Sequence, residues 1–225
     1  MQLAESGRFP WVRLVLAVSL DGRLAPPEGG PAQLGGDGDR RALEQSLEWA
    51  DACLIGAGTL RAHQSTCLIR DPQLRLKRAA EGRSPQPVVV VVSRQAEFHW
   101  SWRFFEQPLQ RWLLSPKPPC QGFERWVPLG KTWRESLDAL ASLDVQRIVL
   151  LGGAGLVADM LQLDVVDELQ LTLVPSLLGG EHTWMSANQS LLPAALAKPG
   201  AWNLLAYEMI GGDELLVRYS RRRRD

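Results

Sequence analysis

Two glycine-bearing turns carry the first hint of chemistry in this 225-residue chain: Gly56-Ala57-Gly58-Thr59-Leu60 and Gly152-Gly153-Ala154-Gly155-Leu156. Each follows a short apolar run and opens a stretch with helical spacing. Glycine lets backbone N–H groups approach an oxyanion that a side chain would hold off. A helix start adds a partial positive charge of about half a unit. Neither turn is the GxGxxG dinucleotide fingerprint, because Arg61 stands where the third glycine belongs. For one turn, tight strand-to-helix packing is as good an account as a phosphate; for two, the phosphate is the better one. Ser93 and Arg94 follow the valine run 88–92. A hydroxyl and a guanidinium at a strand end suit the 2′-phosphate that separates NADP from NAD, the alternative being a capped loop with a solvated arginine.

Other chemistries find less support. His63, His99 and His182 lie far apart, without metal-ligand spacing, and no metal site is expected. Neither GxSxG nor GxxxxGK[ST] occurs. Cys53, Cys67 and Cys120 form no CxxC pair, so the cysteines imply neither a disulfide framework nor thiolate zinc. The formal net charge is zero, which argues against nucleic-acid or membrane-surface binding. No signal segment or membrane span is read, and a cytoplasmic location is expected. The nine tryptophans fit a core or a dimer interface better than a base-stacking surface. Arg221–Arg224 are expected to form a solvated, mobile tail after a core of about residues 10–220, within a single domain covering 1–225.

These groups need elements to hold them. Val12–Val18, Asp51–Ala57, Val88–Val92, Arg147–Leu151 and Leu169–Val174 read as strands, with a further strand possible at Arg111–Leu114. The unbroken valines suit a strand covered on both faces. Leu43, Leu47 and Ala50 mark a helix over 40–50, capped by Asp37 or Asp39. The capping box Thr132-Trp133-Arg134-Glu135 opens another, and a third runs from the second glycine turn to about Leu163. Trp202–Met209 and Leu215–Tyr219 flank Gly211-Gly212-Asp213 as a hairpin. The sum is an α/β fold: a mostly parallel twisted sheet flanked by helices, with an antiparallel C-terminal hairpin at its edge. In an open sheet of this kind ligands sit outside the strand carboxyl ends, where both glycine turns fall.

Several segments together resemble the RibD-type reductase domain of riboflavin biosynthesis. They are Val18-Ser19-Leu20-Asp21-Gly22-Arg23-Leu24-Ala25; Asp51-Ala52-Cys53-Leu54-Ile55-Gly56-Ala57-Gly58-Thr59-Leu60-Arg61-Ala62; Gly152–Leu156; and Val165-Val166-Asp167-Glu168-Leu169 with Pro175 and Leu177-Leu178-Gly179-Gly180. They occur in the family's order and span about residues 12 to 220. The resemblance implies a dihydrofolate-reductase-like fold and NADPH-dependent reduction of the ribosyl group of 5-amino-6-(5-phosphoribosylamino)uracil. It assigns Val18, Gly56, Ala57, Gly58, Thr59, Leu60, Ser93, Arg94, Gly152, Gly153, Ala154, Gly155 and Leu156 to the cofactor. Ser19, Asp21, Cys67 and Arg70 fall to the substrate. It also implies a homodimer.

The substrate side departs from that pattern. Leu47 stands where the family has a substrate-contacting arginine, His63-Gln64-Ser65 replaces DDP, Gly152 replaces the glutamate of EGG, and Gln33 replaces a tryptophan. Asp21 is expected beside the nicotinamide and substrate as a catalytic group, or else as a turn residue ahead of Gly22. His63 is expected to donate a proton near neutral pH. A paralogous reductase of another small pterin, pyrimidine or carbonyl compound remains an alternative, as does a non-catalytic protein of the same fold.

Overall fold

The computed structural model describes residues 9–30, 34–119, 121–185 and 192–223. Among them the apolar runs become β1 (Trp11–Ser19), β2 (Ala52–Gly56), β3 (Val88–Val92), β4 (Arg111–Ser115), β5 (Arg125–Pro128), β6 (Arg147–Leu150) and β7 (Glu168–Val174). The hairpin supplies β8 (Trp202–Gly211) and β9 (Glu214–Arg221). All lie in one sheet of order β5-β4-β3-β2-β6-β1-β7-β9-β8. Pairing is parallel from β5 through β7 and antiparallel for β7–β9 and β9–β8, as the sequence suggests. Gly212 and Asp213, both at positive φ (62° and 58°), make the two-residue turn that matches strand twist.

The helices are α1 (Asp37–Trp49), α2 (Ala57–His63), α3 (Pro72–Ala80), α4 (Trp133–Ala141) and α5 (Ala154–Gln162). Side chains alternate across each strand, so the central strands feed two cores. Leu14, Leu54, Val90 and Leu150 pack with Leu137 and Leu140 of α4 and Val157 and Met160 of α5. Val15, Ile55, Val89, Val91 and Val149 face the other way, with Leu47 of α1 and Leu60 of α2. Cover on both faces is why β3 can be five valines without alternation.

Some details differ from expectation. Neither Asp37 nor Asp39 caps α1; the cap position is Gly36, whose N–H donates to Glu214 Oε1 at 2.6 Å. At the other end of α1 the buried Arg78 guanidinium donates to the carbonyls of Leu47, Glu48 and Ala50 at 3.1, 2.9 and 2.5 Å, satisfying acceptors a helix leaves unpaired. Two elements, α3 and β5, escape the sequence reading. Asp71-Pro72 is the local signal for α3: the Asp71 carboxylate accepts from Gln73 N, and Pro72 occupies a first-turn position that needs no N–H. The basic tail is also less free than its composition suggests. Arg221 ends β9 and pairs with Asp164 at 2.8 Å, and Arg223 pairs with Asp167. Arg224, Gln33 and Cys120 lie outside the described residues. No helix among the described residues is long and apolar enough to cross a membrane.

Candidate active site

The strand order places the carboxyl ends of β3, β2, β6 and β1 side by side. Gly56 ends β2 level with Val92 of β3, and Leu54 pairs with Leu150, so Gly56 and Gly152 leave the sheet together. Their backbones touch: Gly56 N donates to Gly152 O at 2.7 Å. A Cβ on Gly153 would lie 2.8 Å from Thr59 Oγ1, and one on Gly56 would lie 3.2 Å from Gly153 N. The two turns, nearly a hundred residues apart in sequence, therefore form a single corner. Added side chains at Gly58 and Gly155 would meet nothing within 4 Å, so both glycines border open space. Gly153 caps α5 without a side-chain bond to its first N–H groups. The peptide joining Gly152 to Gly153 is cis, with Gly152 at φ 93°.

Around that corner stand the remaining cofactor candidates. Val18 lies at the carboxyl end of β1, buried, and Ala57 and Leu60 pack under α2. Ala154 and Leu156 open α5, with Leu156 turned into the core. Ser93 follows β3 and is buried at 5% exposure, while Arg94 beside it is exposed. An open, glycine-lined corner with a hydroxyl on one side and donors along the strand ends fits a dinucleotide phosphate.

Asp21 proves to be a clamp. Its Oδ1 accepts from Ser19 Oγ at 2.5 Å and from Leu178 N at 3.1 Å, and its Oδ2 accepts from Gly179 N at 2.8 Å. The Ser19 hydroxyl and the two backbone N–H groups hold the carboxyl down to about 2. It is thus an anion throughout the neutral range. What it does is tie the turn after β1 to the loop after β7.

His63 is the last residue of α2, six positions from Ala57 and so roughly 9 Å along the helix from the glycine corner. Surrounding protein lowers its pKa, which leaves the ring neutral at pH 7.

Cys67 and Arg70 lie in the segment between α2 and α3, where the charges of Arg70 and of Glu44 and Asp39 on α1 reach Cys67. Solvent reaches Cys67, yet the protein walling it in pushes the thiol up to about 11, so it stays neutral. Three buried polar side chains, none picked out from sequence, set this segment. Gln107 brackets Thr66, accepting from its N–H at 2.9 Å and donating to its carbonyl at 2.7 Å. Gln86 does the same for Ile69 at 2.9 and 2.8 Å. Glu44 Oε2 accepts from the N–H groups of Arg70 and Asp71, each at 2.9 Å. Asp39 hydrogen-bonds Thr172 of β7, and burial raises its pKa. Thr172 pairs with Ala17 and Val174 with Ser19, so Asp39 sits roughly two residue steps, about 6–7 Å, from the Ser19 turn on the same sheet face. Leu47, by contrast, is 1% exposed and part of the core. No charged group is offered to a substrate from that position.

Comparison with known proteins accords with this geometry. Residues 10–206 match the model of the RibD C-terminal domain. The chain is 23% identical to a 2,5-diamino-6-ribosylamino-4(3H)-pyrimidinone 5′-phosphate reductase from Archaeoglobus fulgidus, across 77% of this chain and 84% of that protein. It is 29% identical to the reductase of the same name from Methanothermobacter thermautotrophicus, across 76% and 80%. Among solved structures it resembles a Thermotoga maritima diaminohydroxyphosphoribosylaminopyrimidine deaminase/5-amino-6-(5-phosphoribosylamino)uracil reductase. The TM-score is 0.77 at 20% identity, covering 96% of this chain but 57% of that longer one. A dihydrofolate reductase from Enterococcus faecalis, solved with NADP(H), superimposes with a TM-score of 0.52 at 11% identity, covering 95% of this chain and 97% of the other. With its parallel sheet, its antiparallel edge and most of its length matched, this chain belongs to the RibD C-terminal domain family, on a dihydrofolate-reductase-like fold.

Proposed function

We propose that the chain is an NADPH-dependent reductase of the riboflavin pathway. Its substrate is a ribosylaminopyrimidine 5′-phosphate, 5-amino-6-(5-phosphoribosylamino)uracil first among them, reduced at the ribosyl C1. One observation carries the reading: the Gly56 and Gly152 turns join into one open corner, with Thr59 against Gly153. Bound there, NADPH supplies a hydride. The chain's own part is to hold and to exclude. Gly153 and Gly155 leave backbone donors uncovered at the start of α5, Thr59 offers a hydroxyl beside them, and Ser93 and Arg94 stand at the end of β3. Asp21 fixes the Ser19–Gly22 turn at the end of β1, the strand end farthest from Ser93 in this group of four. Arg70, on a segment braced from three sides, is the cation for the substrate phosphate, since position 47 contributes none.

The test is turnover. Purified chain should oxidise NADPH with the uracil compound or with its 2,5-diamino-pyrimidinone counterpart, and not with a panel of simple carbonyls. Turnover of panel compounds alone would favour a paralogous reductase, the reading that buried Leu47 supports. No binding at millimolar NADPH would favour a non-catalytic protein and overturn both enzyme readings.

The proposal includes a homodimer. β8 is an edge strand, and Leu204, Tyr207 and Met209 on it are 52%, 74% and 61% exposed. They pair with half-buried Tyr219, Val217 and Leu215 of β9, extending one apolar face across the hairpin. An uncovered edge of this kind invites a second strand. Of the tryptophans, Trp102 and Trp112 are buried, whereas Trp202 stands on β8 in the same row as Leu204. Sedimentation at micromolar concentration should give twice the 25.0 kDa chain mass, and a monomer would refute the pairing. Free thiols at Cys53 and Cys67 accord with a reducing compartment, and we take the enzyme to be cytoplasmic.

A further inference from the structure

We propose that Asp39, backed by Glu214, is the acid that gives a proton to the ribose ring oxygen as the C1′ carbon is reduced. This rests on the reductase reading above and adds to it a pair of carboxyls from outside both glycine turns.

The sheet register puts the pair in place. Thr172 lies between Ala17 of β1 and Leu216 of β9, and residues paired directly across strands share a face. Asp39, in the first turn of α1, hydrogen-bonds Thr172 and so stands over this row. The next row on that face, towards the carboxyl edge, is Ser19, Val174 and Glu214, since Leu215 pairs with Leu173. Consecutive glycines border both carboxyls: a side chain on Gly35 would collide with the Asp39 carboxylate, and one on Gly36 would lie 3.2 Å from Glu214 Oε1. Ala17 is the smallest residue that β1 presents to this face, which leaves width for a sugar ring between Asp39 and the Ser19 turn.

The two carboxyls are unequal. Glu214 is 5% exposed; its Oε1 accepts from the Gly36 N–H at 2.6 Å, and its Oε2 is buried without a partner. Asp39 is only half-buried, within reach of a ligand that Glu214 cannot touch. Neighbouring carboxyls resist ionising together. The Gly36 N–H favours the Glu214 anion, while burial and that anion raise the Asp39 pKa, so the proton of the pair resides on Asp39. Other charges nearby are already matched. Asp37 and Arg40 of α1 pair with one another at 2.9 Å, Arg218 of β9 pairs with Glu168, and Glu44 accepts from the N–H groups of Arg70 and Asp71. From the segment between α2 and α3 come the neutral Cys67 thiol and the Arg70 cation, and the charges of Asp39 and Arg70 both reach that thiol. A ribose whose phosphate is held by Arg70 and whose C1′ faces the Ser19 turn therefore passes Asp39.

The step balances. The C1′–O4′ bond breaks with its electron pair passing to O4′, which takes the Asp39 proton. C1′ takes the hydride from NADPH, leaving NADP+ and an open ribityl chain with a new hydroxyl. Water then returns a proton to Asp39.

Measuring kcat against pH for the whole chain, with NADPH and the uracil substrate, tests the assignment; carboxyl carbon NMR of the free chain is a second readout. Asp39→Asn should lower kcat about a hundredfold or more, the scale of general acid catalysis, and abolish the alkaline fall in kcat at unchanged NADPH affinity. Glu214→Gln should move that fall to lower pH. It should also lower the free-chain titration of the Asp39 carboxyl carbon, which in the unaltered chain lies above the ordinary aspartate range. The NMR shift needs neither cofactor nor substrate, and it decides the matter if Asp39→Asn fails to fold. If Asp39→Asn holds kcat within about threefold, or Glu214→Gln leaves both pH curves in place, the acid is refuted and the reductase reading survives. Should the unaltered chain turn over neither pyrimidine substrate, that reading falls and takes the acid with it.

Discussion

The two edges of the sheet are built on opposite principles. At the amino edge, charged side chains hold the strands in place. Asp51 accepts from the N–H groups of Gln146 and Arg147 and pairs with the Arg147 side chain at 3.1 Å. Asp167 accepts from Val12 N at 2.8 Å. Glu168, 3% exposed, lies between Arg13 and Arg218. At the carboxyl edge, where β2 and β6 end, glycines hold the turns apart from side chains and the contact is backbone to backbone, Gly56 to Gly152, the Asp21 clamp standing aside at β1 and β7. Strands must be secured somewhere, and a ligand site must be left unfilled. Placing these demands at opposite ends lets each be met without compromising the other.

Four substitutions would break or sharpen that contrast. The largest effect belongs to the amino edge. Glu168→Ala leaves two arginines facing a buried gap and should cost about 3–5 kcal/mol in urea unfolding, with NADPH affinity of the folded chain unchanged. If cofactor affinity fell in step, the edges would not be independent. Next comes Gly153→Ala, which drives a methyl into the Thr59 hydroxyl. NADPH binding should weaken about a hundredfold through displaced donors, while the melting temperature moves little.

Asp21→Asn is third, with kcat/KM reduced roughly tenfold by a looser Ser19–Gly22 turn. The pH dependence has a definite sign. The folded-state carboxyl titrates at about 2, below its ordinary 3.8, so its stabilisation is present above pH 4 and lost as pH falls towards 2. Acid unfolding of Asp21→Asn should lack that part of the slope. Smallest is His63→Ala: turnover should change less than about threefold at any pH between 6 and 8, and a larger loss would restore the histidine to the chemistry.

Strands and turns were legible because they are written locally. Five valines, a capping box, and Gly-Gly-Asp between alternating runs each constrain their own few residues, and β3, α4 and the β8–β9 hairpin follow from them. That the two glycine turns would meet was also foreseeable, since parallel neighbours end at the same edge. Less visible was anything decided by a long-range partner. The type and place of Asp21 were legible, whereas its hydrogen bonds to Leu178 and Gly179, from a loop more than 150 residues away, were not. Glu44, Gln86 and Gln107 had no signal at all, for a polar residue on a helix or in a loop is ordinarily solvated. Only the folded chain turns them inward onto the 66–71 backbone.

The paired amides of Gln86 and Gln107 carry one more implication. An amide neither gains nor loses a proton between pH 3 and 10, and ionic strength has little hold on it. Thr66 and Ile69 are gripped by groups of that kind, so the stretch from 66 to 69, Cys67 included, keeps its outline while acids and bases around it titrate. A pH profile for substrate affinity would then trace the ionisation of the incoming phosphate, whose second proton leaves near pH 6, with that stretch serving as a fixed reference.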